Sequence, residues 1–402
     1  MLPNRAPWLF AALCALPLAT LAPACGDDGG DAGSVGDPRC EPIASSCLQR
    51  QRGCVINAET DAPECRACPE GDFPTAPLGE CAPLPGKTLR HDFGDQTLGP
   101  AEEIGSMCQS WLLDNDTELF VNAVELKNTG YYHHSNWFFV PEDHNNWPTG
   151  AWLNCYSEGF DEISAALAGG VLYAQSTQTK FELQKFQEGA VIRIPPHSRV
   201  IGATHLLNFT PDEVTTNLQM MLHVLPAEDV QLKLVPAQFI YSDLAIPPLQ
   251  KSLAGGDCDL DFAHRNIFST NLEMKIHYVL PHYHALGASF DLSVIGGPRD
   301  GESLVHLGAY STDPYGFIFN PPVDLAGATG LHFECGWNNP RDEVIRWGIG
   351  DQEMCEALLF IESDMAFSAR VGKTTEVDTV NGLEYHTGDC DVLAFPFDTD
   401  KP

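Results

Sequence analysis

The sequence predicts an all-β protein: two tandem antiparallel β-sandwiches preceded by a small disulfide-rich segment. Three observations predict it. From about residue 86 onward, short runs alternate apolar and polar residues between Gly, Pro, Asn and Asp, the period-two pattern of half-buried strands punctuated by turns. Of the 14 cysteines, 12 follow residue 25, an even number that suggests complete pairing in an exported chain. The length, 402 residues, exceeds what one core organises, since single cores stop growing at about 250 to 300 residues. Acidic residues number 55 against 22 basic, a formal charge of -33. That balance argues against nucleic acid and anionic membrane surfaces as partners and favours cations, metals included.

The first element is "MLPNRAPWLFAALCALPLATLAPAC", with Arg5 early, an apolar run from Trp8 to Leu21, and small residues before Cys25. This is the layout of an export signal rather than a spanning helix. Its ending, "LAPAC", resembles a bacterial lipobox. The resemblance implies a signal peptide over 1–24, lipid on the Cys25 thiol, and an exported cell-envelope lipoprotein on the periplasmic or cell-surface side. A plain signal-peptidase site near Ala24 is the alternative. Residues 25–38 are Gly/Asp-rich and read as a flexible, self-repelling tether. No other stretch is long and apolar enough to span a bilayer.

Residues 39–85 hold Cys40, Cys47, Cys54, Cys65, Cys68 and Cys81 but few large apolar residues, so folding there needs staples. A three-disulfide knot is expected. Cys65-x-x-Cys68 as a metal or redox pair is the lesser reading in an oxidising compartment.

The strand-like runs include "VQLKLV", with Val230, Leu232 and Leu234 on one face, "LQMMLHVLP", "SFDLSVIGG" and "ALLFIES". The best helical candidate is "FDEISAALAGG", and neither a repeat nor a heptad is present. "SDLAIPPLQKSLAGGDCD" is Pro- and Gly-rich and is the expected seam, dividing a domain at 86–247 from one at 248–402.

Histidines carry the candidate chemistry. In "LPHYHALG", His282 and His284 sit one residue apart in a strand-like run, so both imidazoles leave the same face. Two such imidazoles are half a metal site, although a solvated polar face would look the same. In "NTGYYHHSNW", His133 and His134 are adjacent and would face opposite ways unless the backbone bulges, which Gly130 just upstream permits. One core and one surface histidine is the plainer reading. For the third ligand of that pair His205, at the end of an apolar run, is preferred over His223. His91, His144, His197, His264, His277, His306, His332 and His386 lack a comparable pattern and are taken as structural. Met354, beside Cys355 and after a Gly-rich turn, offers a thioether that selects Cu(I); core packing is its ordinary role.

Taken in order, "YYHHSNW", "THLLN", "LPHYHALG" and "GDQEMC" resemble the copper type II, ascorbate-dependent monooxygenases, the family of peptidylglycine α-hydroxylating and dopamine β-monooxygenases. The resemblance covers about residues 86 to 395 and leaves out the Cys-rich segment. It implies two jelly-roll-like copper domains and two separate mononuclear coppers per chain. His133, His134 and His205 would hold the electron-donating copper; His282, His284 and Met354 would hold the oxygen-activating, catalytic one. It also implies the disulfides Cys108–Cys155, Cys258–Cys390 and Cys335–Cys355, with ascorbate or a similar reductant as co-substrate. The expected protein is a monomeric oxidoreductase that hydroxylates an activated C–H bond of a small molecule with O2. A non-catalytic copper-binding or electron-transfer lipoprotein is the second reading.

Departures from the family bear on the substrate. The peptide-acting enzymes carry an extra cysteine near the His pair, which is absent here. They also have an arginine two residues before His-x-His, where this chain has Leu280, and asparagine and tyrosine after Met-Cys, where it has Glu356 and Leu358. A glycine-extended peptide is therefore not the expected substrate. Glu356 could pair with an amine, while a solvated carboxylate is its plainer role.

Overall fold

Alternation is most regular in Val235–Tyr241, where Val235, Ala237, Phe239 and Tyr241 are buried and the residues between them are half-exposed. Such strands build two sandwiches in a computed structural model that describes residues 36–69, 71–144, 149–155, 157–175, 179–310, 316–348 and 352–397. The expected signal peptide, Cys25 and tether residues 25–35 lie outside the described residues.

The first sandwich pairs a five-stranded sheet, in the order Gly170–Gln175, Tyr132–Pro141, Ser198–Leu207, Glu103–Leu112 and Leu153–Asn154, with a six-stranded sheet centred on Leu119–Asn128 and Val214–Leu225. Trp137, Phe139, Val200, Leu222 and Val121 fill the space between them. In the second, one six-stranded sheet runs Phe317–Asp324, Lys275–His282, Glu356–Glu362, Val235–Tyr241, Met365–Val371 and Cys390–Pro396. The facing sheet is centred on Gly330–Asn339 and Gln250–Asp259, with Phe239, Phe290 and Phe333 in the core between. Each fully buried side chain of this size contributes ~1.5 to 3 kcal/mol.

The all-β, mostly antiparallel fold is as expected, with some parallel pairs inside it, and the position of the seam is corrected. The sheets are not purely antiparallel: Val235–Tyr241 runs parallel to Met365–Val371, Gln250–Asp259 to Leu383–Thr387, and Ala190–Ile194 to Leu232–Lys233. Each pair joins segments distant in sequence, the long connection that parallel neighbours require. The seam comes earlier than 248. Leu232–Lys233 pairs within the first sandwich and Val235–Tyr241 belongs to the second, so only Leu234 separates them. The Pro/Gly stretch lies inside the second sandwich, where Ala245–Ile246 pairs with Ile345–Arg346 and Gln250–Asp259 is a central strand. Of "VQLKLV", only Leu232–Lys233 forms a strand before the crossing.

The helix expected in "FDEISAALAGG" spans Glu162–Ala168, with the Asp161 carboxylate accepting the Ser164 N–H at 2.7 Å. Sequence reading missed Leu260–Phe268, capped in the same way by Asp259 at 2.8 Å from Phe262 N. Among the described residues no helix is long and apolar enough to cross a membrane.

Among the described residues six disulfides are present. In the Cys-rich segment they join Cys40 to Cys54, Cys47 to Cys65, and Cys68 to Cys81, so Cys65 and Cys68 have separate partners. Cys108–Cys155, Cys258–Cys390 and Cys335–Cys355 staple the sandwiches. The knot touches both of them. Phe73 packs on Ala123 and Leu183 of the first, and the Gln51 side chain accepts Lys185 N–H at 2.9 Å and hydrogen-bonds the Tyr278 hydroxyl of the second. The seam itself is apolar: Tyr278, Leu280, Ile318 and Phe360 of the second sandwich join the core of the first.

Candidate metal centre

A β-bulge aims the adjacent histidines together. On the antiparallel pair Tyr132–Pro141 and Ser198–Leu207, His205 stands opposite His134 and Leu206 opposite Tyr132, leaving His133 as the extra residue. Gly130 and Tyr131 enter the strand with φ of 118° and 69°, a left-handed turn that glycine adopts without strain. The result is a compact trio, with ring centroids 5.2 Å apart for His133 and His134, 4.8 Å for His133 and His205, and 5.0 Å for His134 and His205.

From the second sandwich, His282 ends the strand Lys275–His282 and His284 follows in a turn closed by Gly287 N–H to His284 O at 3.0 Å. Their rings lie 5.1 Å apart. The buried Glu353 carboxylate holds this turn by accepting N–H groups from His284 at 2.9 Å, Leu286 at 2.7 Å and the Trp337 indole at 3.0 Å.

The two histidine sets meet, contrary to the separation that the family resemblance implied. Ring centroids are 4.8 Å apart for His133 and His284, 5.3 Å for His134 and His282, and 6.0 Å for His134 and His284. Ligand nitrogens lie within 4.8 Å of one another in two groups, His133 with His134 and His205, and His134 with His282 and His284. The physical cause is the seam, whose shared apolar core brings the strand ends of the two sandwiches together.

Hydrogen bonding decides which nitrogens face the cluster. The His205 Nε2–H donates to Glu103 Oε1 at 2.7 Å, and the His284 Nδ1–H donates to the Gln352 carbonyl at 2.8 Å. Both partners only accept, so His205 Nδ1 and His284 Nε2 carry lone pairs. These two atoms and His134 Nδ1 are buried without a hydrogen-bond partner, each an orphan worth ~1 to 3 kcal/mol. Burial, reinforced by neighbouring His205 and His282, pushes His133 down to about 3. Burial and the other imidazoles hold His134 and His284 well below the usual range. His205 is lowered by burial despite the opposing pull of Glu103. The rings are thus neutral, the form that binds metal. Nitrogens ~2.0 to 2.1 Å from one ion span at most about 4 Å, so each group needs only a small closure. Such an all-imidazole set suits copper in either oxidation state, and also zinc.

Met354 is buried, 6% exposed, between Glu353 and the Cys335–Cys355 disulfide. Glu356 stands opposite His282 at the end of the ladder, and Met354 lies two residues before it in the chain. His223 lies apart, its Nε2 2.6 Å from Glu125, its Nδ1 3.1 Å from Thr88 Oγ1, and its ring edge-on to Phe73 at 4.5 Å. Leu280 is buried in the shared core and points no polar group anywhere. Glu356 is half-buried and accepts the Trp347 indole N–H at 3.2 Å. Burial and the nearby Glu162 carboxylate push its carboxyl up to about 7.

Sequence reasoning missed Glu103 and Glu353. Glu353 stood in the quoted "GDQEMC", while Glu103 lies 102 residues from His205 and leaves no local signal. A cavity of about 300 Å³ opens beside the cluster, lined by His133, Leu207, Phe209, His284, Leu286 and Glu353 among others.

No family model and no curated protein matches the chain. Among solved structures, the cowpea mosaic virus top component, described as naturally occurring empty particles, aligns over 73% of this chain and 94% of that chain at 9% identity, with a TM-score of 0.34. Sulfolobus turreted icosahedral virus aligns over 76% of this chain and 70% of that chain at 8% identity, with a TM-score of 0.14. Scores this low carry no argument. Fold and site define the class by themselves: an all-β, disulfide-stapled protein with a largely buried five-histidine cluster, His134 and His282 half-buried, where two sandwiches meet.

Proposed function

We propose that this chain is an exported copper-dependent monooxygenase that hydroxylates an activated C–H bond of a small molecule, using O2 and a one-electron reductant such as ascorbate. One observation carries the reading. Buried histidines from both sandwiches converge with unpartnered nitrogens facing one another, in the order that the family resemblance implies.

His133, His134 and His205 would hold one copper, and His282, His284 and Met354 the other. Bound copper would supply one-electron storage and oxygen activation. The chain's own residues do the positioning. Glu103 orients His205, the Gln352 carbonyl orients His284, and Glu353 fixes the backbone on which His284 rides. Leu207, Phe209 and Leu286 give the adjoining cavity apolar walls that can seat a small substrate body and exclude water. Leu280, with no charge to offer a carboxylate, argues against a glycine-extended peptide. The same reading makes Cys25 a lipid anchor.

The test is metal analysis of the purified soluble part, followed by O2 consumption with ascorbate across small amines, amides and acids. Two coppers per chain with substrate-stimulated uptake is the expected result. Stoichiometric copper without uptake would leave a copper-binding protein, and absence of copper would end the reading.

A further inference from the structure

We propose that the two histidine sets form one two-metal centre, its metals held as neighbours in a single chamber with the His134 ring between them, rather than two isolated single-metal sites. The inference rests on the copper reading above and deepens it. His134 belongs to both groups of ligand nitrogens. Rings touch across the seam in two places, His133 against His284 at 4.8 Å and His134 against His282 at 5.3 Å. Nitrogens of His134, His205 and His284 are buried there without a hydrogen-bond partner.

The juxtaposition is built in rather than incidental. Tyr278, Leu280, Ile318 and Phe360 cross the seam into the core of the first sandwich. Phe186 of the first sandwich meets Tyr278 and Phe360 edge-on, at 5.9 and 5.0 Å. Gln51 of the knot then ties Lys185 to Tyr278. Separating the sets would mean exposing that apolar contact to water, which opposes it. The cavity beside the cluster is lined by His133 of one set and His284 of the other.

Electron paramagnetic resonance of the full soluble chain loaded with Cu(II) tests this without any turnover. Neighbouring Cu(II) spins broaden each other by dipolar coupling whatever lies between them, so two coppers per chain should give a strongly attenuated, broadened signal with a half-field transition. His282→Ala, which removes a ligand of the second set alone, should bind one copper and restore a sharp, full-intensity signal. Two coppers per chain with full, independent intensity would overturn the proposal and leave the copper reading intact, whereas a single copper shared by all five histidines would overturn the proposal and the two-copper assignment together. Failure to bind copper would instead sink the reading on which the proposal stands.

Discussion

His134 and His205 stand directly opposite each other on neighbouring antiparallel strands, their rings 5.0 Å apart. Opposite positions of this kind share one sheet face, and the bulge then swings His133 onto the same side. A metal trio can therefore form from two strands of one sheet.

His205 and His223 should respond differently to truncation. His205→Ala removes a lone pair from the cluster and should lower copper from two per chain towards one, with little loss of stability. His223→Ala removes the closer partner of the buried Glu125 carboxylate, leaving Lys127 at 3.6 Å, and should cost roughly 1 to 3 kcal/mol while copper content stays normal. Metal analysis and denaturant unfolding of both variants check the pair; the reverse pattern would move the first site to His223.

Glu353 should matter through the turn it holds. Three N–H groups converge on its carboxylate, so Glu353→Ala leaves them unsatisfied and loosens His284. Copper affinity at the second set should fall ~10- to 100-fold, with Glu353→Gln retaining much of it. Competition titrations with a Cu(I) chelator give the measurement, and equal affinity in all three proteins would reduce Glu353 to packing.

Met354 should supply sulfur to reduced copper. Truncation of a buried methionine costs ~2 to 5 kcal/mol in any case, so stability alone decides nothing. X-ray absorption of the reduced, fully loaded wild type should contain a copper–sulfur shell that Met354→Ala lacks, and Met354→His should keep the metal but favour Cu(II). Both variants should lose ascorbate-dependent O2 uptake. A wild type without the shell would return Met354 to the core.

Lys185 offers a pH test away from the cluster. It is 4% exposed, and burial pushes its ammonium down to about 8 from 10.5. The unfolded chain then binds more protons between those values, so this group penalises folding fully below pH 8 and less as pH rises through 10.5. Lys185→Met should stabilise the protein at pH 7 by roughly 2 to 3 kcal/mol, and the gain should shrink by pH 10. Denaturant midpoints at the two pH values measure it; a gain independent of pH would mean that packing alone is responsible.

Cys25→Ala should release the protein from membranes or stall its processing if one thiol carries the lipid. Unchanged fractionation would remove the anchor.

The legible parts of this molecule were those written locally. Strand alternation, the Cys-rich knot and the helix after Asp161 follow from neighbours in sequence. The bulge could be anticipated from Gly130 beside two histidines that otherwise face apart. The crossing at Leu234 was obscure, because its local mark, a one-residue shift of the apolar set from Leu232 and Leu234 to Val235, Ala237, Phe239 and Tyr241, looks the same as a bulge within a single strand. The meeting of the histidine sets was equally hidden: it is fixed by Tyr278, Leu280, Ile318 and Phe360 packing across the seam, none of which differs in type from an ordinary core residue. Family resemblance pointed the other way, to separate sites.

The grip of the knot on both sandwiches sets the smallest piece worth transplanting. A version begun at residue 86 would retain every histidine of the cluster, yet it would uncover the seat of Phe73 on Ala123 and Leu183 and leave Lys185 N–H and the Tyr278 hydroxyl without Gln51. Anyone grafting this centre into another host should therefore carry residues 36–397 as one cassette, and make it where thiols are oxidised.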